Sequence, residues 1–320
     1  MVWNLLILFI LKVVTSAEDN RRPIWNIAHM VNTLGEVDSY LDQGANGLEF
    51  DVYFDGENPV ITYHPVPCDC FRTCMLREKL DTYLEYMRDI TTPGSPKYRK
   101  ELVFLFMDLK VSSIGAGSLK HAGENIAKKL LDIYWQNGEA GGQAFILVSL
   151  PYVSHIELFH GFLGTLEERN ATFRKDKIGF EFSGNEDLKT IEYVLQTNNV
   201  SSNNFWQGDG ITNCLPRGTY RLIDAINSRD YKEKSYMSKV YWWTVDKSST
   251  MQRILRLGVD GMITNHPDRL VEVLKDSEFA STFRLASIED SPWTKHPAEK
   301  TYYRHNCTSL PTEEEVLYNI

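Results

Sequence analysis

GLEFDVYFDGENPVITYH, residues 47–64, predicts a β-strand, a turn and a second strand. Val, Ile, Phe and Tyr dominate both halves, and the cluster Asp-Gly-Glu-Asn-Pro separates them. Side chains alternate along a strand, so Glu49 and Asp51 leave the same face, where their charges repel unless a cation lies between them. His64 ends the second strand. The stretch therefore predicts a polar site built around the ends of two strands.

The rest of the chain alternates short β-rich runs with segments of helical periodicity. The predicted strands are 24–28, 48–53, 102–109, 144–150, 178–182, 204–207, 240–245 and 261–264. The predicted helices are 122–134, 188–195, 220–226, 249–257 and 268–274. Eight strands alternating with helices predict an α/β fold, a closed parallel (β/α)8 barrel (TIM barrel) in a single domain; an open doubly wound sheet is the alternative.

Polar side chains follow the apolar strands at the points where these strands end. They are His29, Glu49, Asp51, Asp108, Lys110, Asp246 and Asn265, with His64 just beyond the second strand. In a parallel barrel the carboxyl ends of all strands meet at one mouth, which is where such folds place their active sites. We therefore expect these side chains to converge.

Composition narrows the class of partner. The 320-residue chain carries a net charge of −9 and has no basic stripe, which argues against a nucleic-acid partner. Long-range attraction to an anionic membrane is also weak at this charge, so any lipid contact must depend on local features. Five cysteines fit an oxidising compartment, and CDCFRTC lacks the second Cys-x-x-Cys of a zinc ribbon. Disulfides are the better interpretation, although the sequence does not set their pairing.

The two ends of the chain differ from its middle. MVWNLLILFILKVVTSA, residues 1–17, has the apolar run and small terminal residues of a secretory signal peptide, with an uncleaved anchor as the alternative. Residues 294–320 are predicted to be a polar, mobile tail, which leaves 18–293 for the barrel. Secretion would make sequons at Asn170, Asn199 and Asn306 candidates for N-glycosylation.

The candidate ligands are hard oxygen donors. Glu49, Asp51 and Asp108 have no cysteine or third histidine in their pattern, which favours Mg²⁺, or Ca²⁺ or Mn²⁺, over Zn²⁺. Lys110 leaves the same strand face as Asp108 and could hold a phosphate bound to that ion. The alternative is that Asp108 and Lys110 pair with other side chains at the barrel rim.

His29 and His64 are the candidate proton carriers. Each has an ordinary pKa near neutrality and so exchanges a proton under physiological conditions. Two histidines that face a metal-bound phosphate suit an in-line displacement: one takes a proton from the attacking oxygen, or attacks phosphorus itself, and the other protonates the leaving group.

Several motifs, in order along the chain, resemble those of a known family. They are RRPIWNIAHMVN, AHMVNTLGEVDSYLDQGANGLEFDV, YHPVPCDCFRTC, FMDLK, FSGNEDL, DGITNCLPRG, YWWTVDK and GVDGMITNHPD, between residues 21 and 293. The N-terminal motif resembles the signature of the glycerophosphodiester phosphodiesterase superfamily. The whole set resembles, more narrowly, the arachnid venom sphingomyelinase D or phospholipase D toxins, also called dermonecrotic toxins. FRLASIEDSPW resembles the short tail with which these enzymes plug the closed end of the barrel.

The resemblance implies roles for individual residues. His29 and His64 match the catalytic pair, and Glu49, Asp51 and Asp108 match the ligands of one Mg²⁺ ion. Five further positions match residues that orient the histidines or line the pocket: Asp69, Lys110, Trp243, Asp246 and Asn265. The resemblance also implies the bridges Cys68–Cys74 and Cys70–Cys214, whereas Cys307 has no counterpart and is either free or paired between chains.

Some positions depart from the family pattern. Phe50, Phe180 and Trp242 replace the residues that many relatives have, and we expect all three to flank the mouth and affect substrate choice. Four aromatic residues are expected either to shelter a choline cation or lipid at the mouth or to belong to the core. These are Trp206, Tyr241, Trp242 and Trp243.

The resemblance implies a secreted, extracellular, Mg²⁺-dependent enzyme that acts on sphingomyelin and lysophospholipids at a membrane or lipoprotein surface. The lipid's own hydroxyl attacks phosphorus, expels choline or another headgroup alcohol and leaves a cyclic phosphate. We expect a monomer. Two alternatives are a phosphodiesterase that hydrolyses small glycerophosphodiesters with water and a non-catalytic secreted binder on the same scaffold. The sequence does not predict the preferred headgroup.

Overall fold

The computed structural model describes residues 19–138, 141–200 and 204–296. The predicted leader, Asn306, Cys307 and the predicted tail from residue 297 onward lie outside these ranges. The strands in the described part are β1 (Arg22–Ala28), β2 (Gly47–Asp55), β3 (Asn58–Tyr63), β4 (Arg77–Lys79), β5 (Phe104–Lys110), β6 (Phe145–Leu150), β7 (Ile178–Phe182), β8 (Phe205–Gly210), β9 (Met237–Trp243), β10 (Gly261–Thr264) and β11 (Phe283–Leu285).

Eight of these strands form a closed parallel barrel. Its order is β1-β2-β5-β6-β7-β8-β9-β10, and β10 pairs with β1 to close the ring. The predicted (β/α)8 barrel is therefore confirmed, and the open doubly wound sheet is wrong. β1 pairs with only the beginning of β2. Further along β2, the antiparallel strand β3 is its neighbour instead, with Thr62 opposite Val52. This hairpin returns the chain to the mouth at His64.

Helices cover the outside of the barrel. They are α1 (Leu34–Asp42), α2 (Leu80–Thr91), α3 (Leu119–Lys129), α4 (Glu157–Glu168), α5 (Leu188–Thr197), α6 (Tyr220–Tyr231), α7 (Ser248–Leu257) and α8 (Pro267–Lys275). The sequence did not predict α1, α2 and α4. A single π-helical turn, Leu130–Tyr134, follows α3 and ends at residue 134, where the predicted helix ends. Among the described residues, no helix combines the length and the apolar character needed to cross a membrane.

Local sequence explains why these helices form where they do. In α7, Met251, Ile254 and Leu255 are buried and follow the spacing of one helical face. At the start of α5, the Asp187 carboxylate accepts hydrogen bonds from the backbone N–H groups of Lys189 and Thr190, at 3.0 and 2.9 Å. These N–H groups have no partner within the helix, so the cap fixes where α5 begins.

The apolar core has two layers. The outer layer lies between the strands and the helices, and it contains Phe50, Phe180 and Trp242. The ring of Phe50 packs 4.8 Å from that of Tyr83, and the ring of Phe180 packs 4.5 Å from that of Phe159. The expectation that Phe50, Phe180 and Trp242 flank the mouth is therefore wrong. Their strand neighbours occupy the inner face, and alternation turns these three outward.

The inner layer fills the barrel with aromatic side chains and is plugged at the closed end. The ring of Trp206 stacks on that of Phe104 at 4.6 Å, and its Nε1–H donates to the Pro292 carbonyl at 2.9 Å. Trp293 packs against Phe104 and Phe145, with ring centroids 6.4 and 6.0 Å away. The expected C-terminal plug is thus present. It leaves the opposite end of the barrel as the open mouth.

Gly179 and Gly164 provide a matched test of the plug. A Cβ at Gly179 would lie 2.2 Å from the Trp293 ring and 2.6 Å from the Asn204 carbonyl oxygen, whereas one at Gly164 in α4 meets nothing within 4 Å. We expect Gly179→Ala to lower the free energy of unfolding by about 1–3 kcal/mol through overpacking. Gly164→Ala should raise it by up to ~1 kcal/mol, because alanine favours the helix. Urea unfolding followed by circular dichroism measures both, and equal effects would contradict the tight fit of Trp293.

Candidate active site

Three carboxylates meet at the mouth of the barrel. Glu49 and Asp51 lie on β2, and Asp108 lies on β5 directly opposite Asp51. Oxygen atoms of all three lie within 4.8 Å of one another, and Glu49 and Asp51 are buried. Parallel pairing of adjacent strands therefore creates the cluster.

Neighbouring groups hold two of these carboxylates in place. The Met30 backbone N–H donates to Glu49 Oε2 at 2.6 Å. Asn32 donates through Nδ2 to Asp51 Oδ2 at 2.6 Å and accepts from the Asp51 backbone N–H through Oδ1 at 2.9 Å. Met30 and Asn32 lie directly after β1, so the loop leaving one strand fixes the carboxylates of the next.

Lys110 is the cation nearest to the cluster. Its Nζ lies 2.7 Å from Asp51 Oδ1 and 2.6 Å from Asp108 Oδ2. Although burial opposes a charge on lysine, the carboxylates raise the pKa of Lys110. Burial also opposes ionisation of Asp51, but Lys110 and His64 outweigh it and lower the pKa of Asp51. The structure thus shows Lys110 paired with carboxylates of the cluster, Asp51 as well as Asp108.

The cluster still carries more negative charge than one lysine neutralises. Burial, followed by repulsion from Asp51, raises the pKa of Glu49. Three hard oxygen donors in a partly buried site are the ligands that a small divalent cation prefers. Glu49, Asp51 and Asp108 therefore fit a divalent metal ion.

His29 lies beside the carboxylates, just after β1. Its Nδ1 is 3.2 Å from both Asp69 Oδ2 and Asn265 Oδ1, and its Nε2 is 3.9 Å from Glu49 Oε2. Burial disfavours a charged imidazole, but the hydrogen bond to Asp69 and the charges of Glu49, Asp69 and Asp51 outweigh it, so the pKa of His29 is raised. Asp69 and Asn265 occupy Nδ1, which turns Nε2 toward the carboxylates.

A network of hydrogen-bonded polar side chains supports His29 on its Nδ1 side. Asn265 donates through Nδ2 to Asp69 Oδ2 at 3.3 Å and to Asp246 Oδ2 at 3.0 Å. Asp246 also accepts from Asn213 Nδ2 at 2.8 Å. Partial burial opposes ionisation of Asp69, but hydrogen bonds from His29 and Asn265 keep the pKa of Asp69 well below its usual range. The structure thus brings Asp69, Asp246 and Asn265 together next to His29.

His64 ends the hairpin on the other side of the cluster. Its Nδ1–H donates to the Pro65 carbonyl at 2.6 Å, so Nε2 is the nitrogen that can exchange a proton. The ring is close enough to Asp51 to contribute to the lowered pKa of that carboxyl group. The loop that follows His64 contains the bridge Cys68–Cys74, and its Cys70 is bridged to Cys214 in the loop after β8. Both pairings agree with those that the resemblance implied.

Only one of the four candidate mouth aromatics lies at the mouth. Trp206 is at the closed end, Trp242 faces the helices, and the Tyr241 hydroxyl is buried and donates to Glu181 at 2.9 Å. The alternative that these three residues lie at the mouth is therefore wrong. The sequence shows that a strand residue is aromatic, but it does not show how deep in the barrel that residue lies. Trp243 ends β9 with its ring partly exposed, and its Nε1–H has no hydrogen-bond partner among the described residues.

The sequence missed two groups near the site. Glu181 is fully buried inside the barrel, where Ser149 Oγ donates to it at 2.5 Å, and burial raises the pKa of Glu181 to about 8. Its position between outward-facing Phe180 and Phe182 could have indicated an inward carboxyl group. Arg72 donates to the carbonyl groups of His29 and Met30, both at 3.1 Å. No pattern in the sequence predicts this contact.

Two of the three candidate glycosylation sites, Asn170 and Asn199, follow the C-terminal ends of α4 and α5. Asn170 and Asn199 are both exposed at the surface.

Comparison with known proteins places the chain in a family. A family model described as dermonecrotic toxin SPH matches residues 19–293. The chain is 48% identical over 279 residues to dermonecrotic toxin StSicTox-betaIB1i of Sicarius terrosus, covering 87% of this chain and 100% of that protein. It is 46% identical over 278 residues to dermonecrotic toxin LiSicTox-betaIA1i of Loxosceles intermedia, covering 87% and 91%.

A solved structure shares the fold. It is a Silicibacter pomeroyi protein assigned as a glycerophosphoryl diester phosphodiesterase, with a TM-score of 0.53 and 13% identity. The match covers 82% of this chain and 97% of that chain, and at this identity the likeness concerns the fold alone.

The Asp69–His29 contact predicts a pH effect. Asp69→Asn removes the carboxylate that favours the imidazolium, so we expect the pKa of His29 to fall. The ion pair stabilises the fold only between the pKa values of Asp69 and His29, and this contribution is lost as the pH rises through the pKa of His29. Imidazole NMR titration with EDTA present measures the shift, with His121 and His160 on the outer helices as references. An unchanged His29 titration would contradict the assigned contact.

Proposed function

The chain belongs to the dermonecrotic toxin family and is an enzyme of the phospholipase D type, and we propose that it is a secreted, Mg²⁺-dependent enzyme acting on sphingomyelin and lysophospholipids. In this proposal it releases choline or another headgroup alcohol and forms a cyclic phosphate. The observation that supports the proposal is the convergence of Glu49, Asp51 and Asp108 with His29 at one barrel mouth. Glu49 and Asp51 lie on the first strand of the hairpin that ends in His64.

Glu49, Asp51 and Asp108 would hold the metal ion. Mg²⁺ prefers carboxylate oxygens and usually keeps positions for water and for phosphate oxygens of the substrate. When bound, it would polarise the phosphoryl group. Lys110, which contacts Asp51 and Asp108, would bind a phosphate oxygen once the cluster carries its ion.

The two histidines supply the proton transfers. One takes the proton of the lipid's own hydroxyl at Nε2 as that oxygen forms its bond to phosphorus. The other donates a proton to the headgroup oxygen as its bond to phosphorus breaks. Asp69 and Asn265 hold His29 by Nδ1, and the Pro65 carbonyl holds His64 by Nδ1, so each ring presents Nε2. A nucleophile within the substrate avoids the positioning of a separate water.

Trp243 is the candidate contact for the headgroup. Its partly exposed ring at the end of β9 offers an aromatic face, and a choline cation over such a face is stabilised by the ring quadrupole. Asp246, Asp69 and Asn265 act as positioning residues in this proposal, since they reach the substrate only through His29.

Further parts of the proposal concern the whole chain. Residues 1–17 would be removed as a signal peptide, residues 18–293 would form the catalytic domain, and 294–320 would be an appended tail. The enzyme would act as an extracellular monomer at a membrane or lipoprotein surface. Asn170, Asn199 and Asn306 are its candidate glycosylation sites, and Cys307 would be free or paired between chains.

Phosphorus NMR of sphingomyelin turnover tests the proposal directly. We expect a cyclic phosphate product with Mg²⁺ present and no product with EDTA. His29→Asn and His64→Asn should each lower the rate by about 10²–10⁴-fold, the usual contribution of a general acid or base. His160→Asn, on α4 outside the barrel, is the matched control and should retain wild-type activity.

The other outcomes discriminate between mechanisms. A linear monoester would point to water as the nucleophile and favour the glycerophosphodiesterase alternative. Absence of turnover with sphingomyelin, lysophospholipid and glycerophosphocholine would favour the non-catalytic binder. Equal activity of the wild type and the His64→Asn variant would remove His64 from the mechanism.

A further inference from the structure

Exposed apolar side chains are concentrated beside the candidate active site. We call residues 65–76, which follow His64, and residues 211–219, which follow β8, the mouth loops. Apart from tyrosines, the large hydrophobic residues exposed in the described part of the chain are Val60, Val66, Phe71, Met75, Leu76, Phe173 and Leu215. Five of these seven lie on the mouth loops. Phe71 is 100% exposed, Val66 71%, Met75 69% and Leu215 54%, so the chain leaves them without cover.

The first mouth loop has two distinct sides. Asp69 is buried against His29 and Asn265, and Arg72 reaches the backbone carbonyls of His29 and Met30. These contacts hold the inner side in the site. Phe71 lies between them in sequence and points to solvent, with Val66 and Met75 likewise exposed. The same loop therefore shapes the site on one side and presents apolar surface on the other.

The two mouth loops are fixed to each other. The Cys70–Cys214 bridge joins them, and Asn213 Nδ2 donates to the Cys70 carbonyl at 3.1 Å. Phe71 and Leu215 each follow one of the bridged cysteines directly. Phe71 is held at a φ of 66°, a left-handed backbone that is uncommon for an aromatic residue. Because the bridge and the Asn213 hydrogen bond hold the two loop backbones, covering Phe71 and Leu215 costs mainly the rotamer freedom of their side chains.

We propose that the mouth loops insert Phe71, Val66, Met75 and Leu215 into a neutral phospholipid surface and so place the barrel mouth at the level of the lipid headgroups. This inference rests on the proposed function. The phosphate that would react lies in the headgroup layer, so the mouth must approach that layer, and these are the side chains that rim it. Exposed Tyr152 and Tyr220, which precede α4 and begin α6, suit the same interfacial depth.

The net charge of the chain indicates which kind of lipid surface the mouth loops bind. A net charge of −9 opposes long-range attraction to anionic lipid, so apolar insertion must supply the binding energy. Binding to neutral vesicles should therefore change little between low and high salt, because screening acts on charges and not on apolar burial. A second protein copy is the other candidate occupant, and the experiment below separates the two.

Vesicle flotation tests the surface without turnover. We expect the mature protein, residues 18–320, to float with phosphatidylcholine vesicles in EDTA. Phe71→Ala should lower the partition coefficient by about tenfold, since it removes one large apolar side chain from the interface. Alanine bears the same left-handed backbone cost as phenylalanine, so the loop keeps its conformation. Phe173→Ala, an exposed phenylalanine before β7 at the plugged end, is the matched control and should float like the wild type.

Activity measurements distinguish docking from a role in the site. On sphingomyelin vesicles, Phe71→Ala should lose about tenfold in rate, and the double variant with Leu215→Ala should lose more. On a short-chain lysophospholipid below its micellar concentration, both should match the wild type. Equal flotation of Phe71→Ala and Phe173→Ala would overturn the proposal. An equal loss of rate by Phe71→Ala on both substrates would also overturn it. So would a wild-type dimer that Phe71→Ala dissociates into monomers without changing flotation. Flotation in EDTA without any later turnover would instead contradict the proposed function alone.

Discussion

Repulsion among three carboxylates at the end of two neighbouring strands is the constraint on which this barrel mouth depends. Parallel register places Asp108 opposite Asp51, and alternation places Glu49 on the same inner face. Burial prevents water from screening their charges. Such a cluster persists only with positive charge and donors around it, and the chain provides Lys110, the Met30 backbone N–H and Asn32. The surrounding polar groups thus compensate for an arrangement that costs stability by itself.

The loop after His64 links this cluster to the exterior. Its inner side contributes Asp69, which fixes His29, and its bridge to Cys214 connects it with the loop where Asn213 supports Asp246. Proton-carrying groups and exposed apolar groups therefore depend on one cross-linked segment. This arrangement explains why two disulfides are placed at the mouth, far from the plugged end, which Trp206 and Trp293 already fill.

Much of this arrangement is predictable from the sequence, because it depends on alternation and strand order. The β-rich runs that alternate with helical segments predicted the eight barrel strands, and the polar residues that end five of these strands predicted the group of His29, Glu49, Asp51 and Asp108. The sequence did not show how deep in the barrel an aromatic strand residue lies or which way it faces, so it left the mouth and the core as alternatives for Trp206, Tyr241 and Trp242. The structure places all three in the core. The sequence did not predict helix α4. The structure explains why this helix contains Gly161: a Cβ at this position would lie 1.9 Å from the Lys120 carbonyl oxygen. Close contact between α3 and α4 thus overrides the low helix propensity of glycine.

The most direct test of the account is a calorimetric titration of Mg²⁺ into the metal-free protein and into its Asp51→Asn variant. Asparagine keeps the shape of aspartate and removes one negative charge at the centre of the cluster. If the carboxylates of β2 and β5 form a cation site, the wild type should bind one ion per chain, and the variant should lose most of that affinity. Absence of binding to the wild type, or equal affinity in the two proteins, would contradict the central claim that this cluster is a metal site.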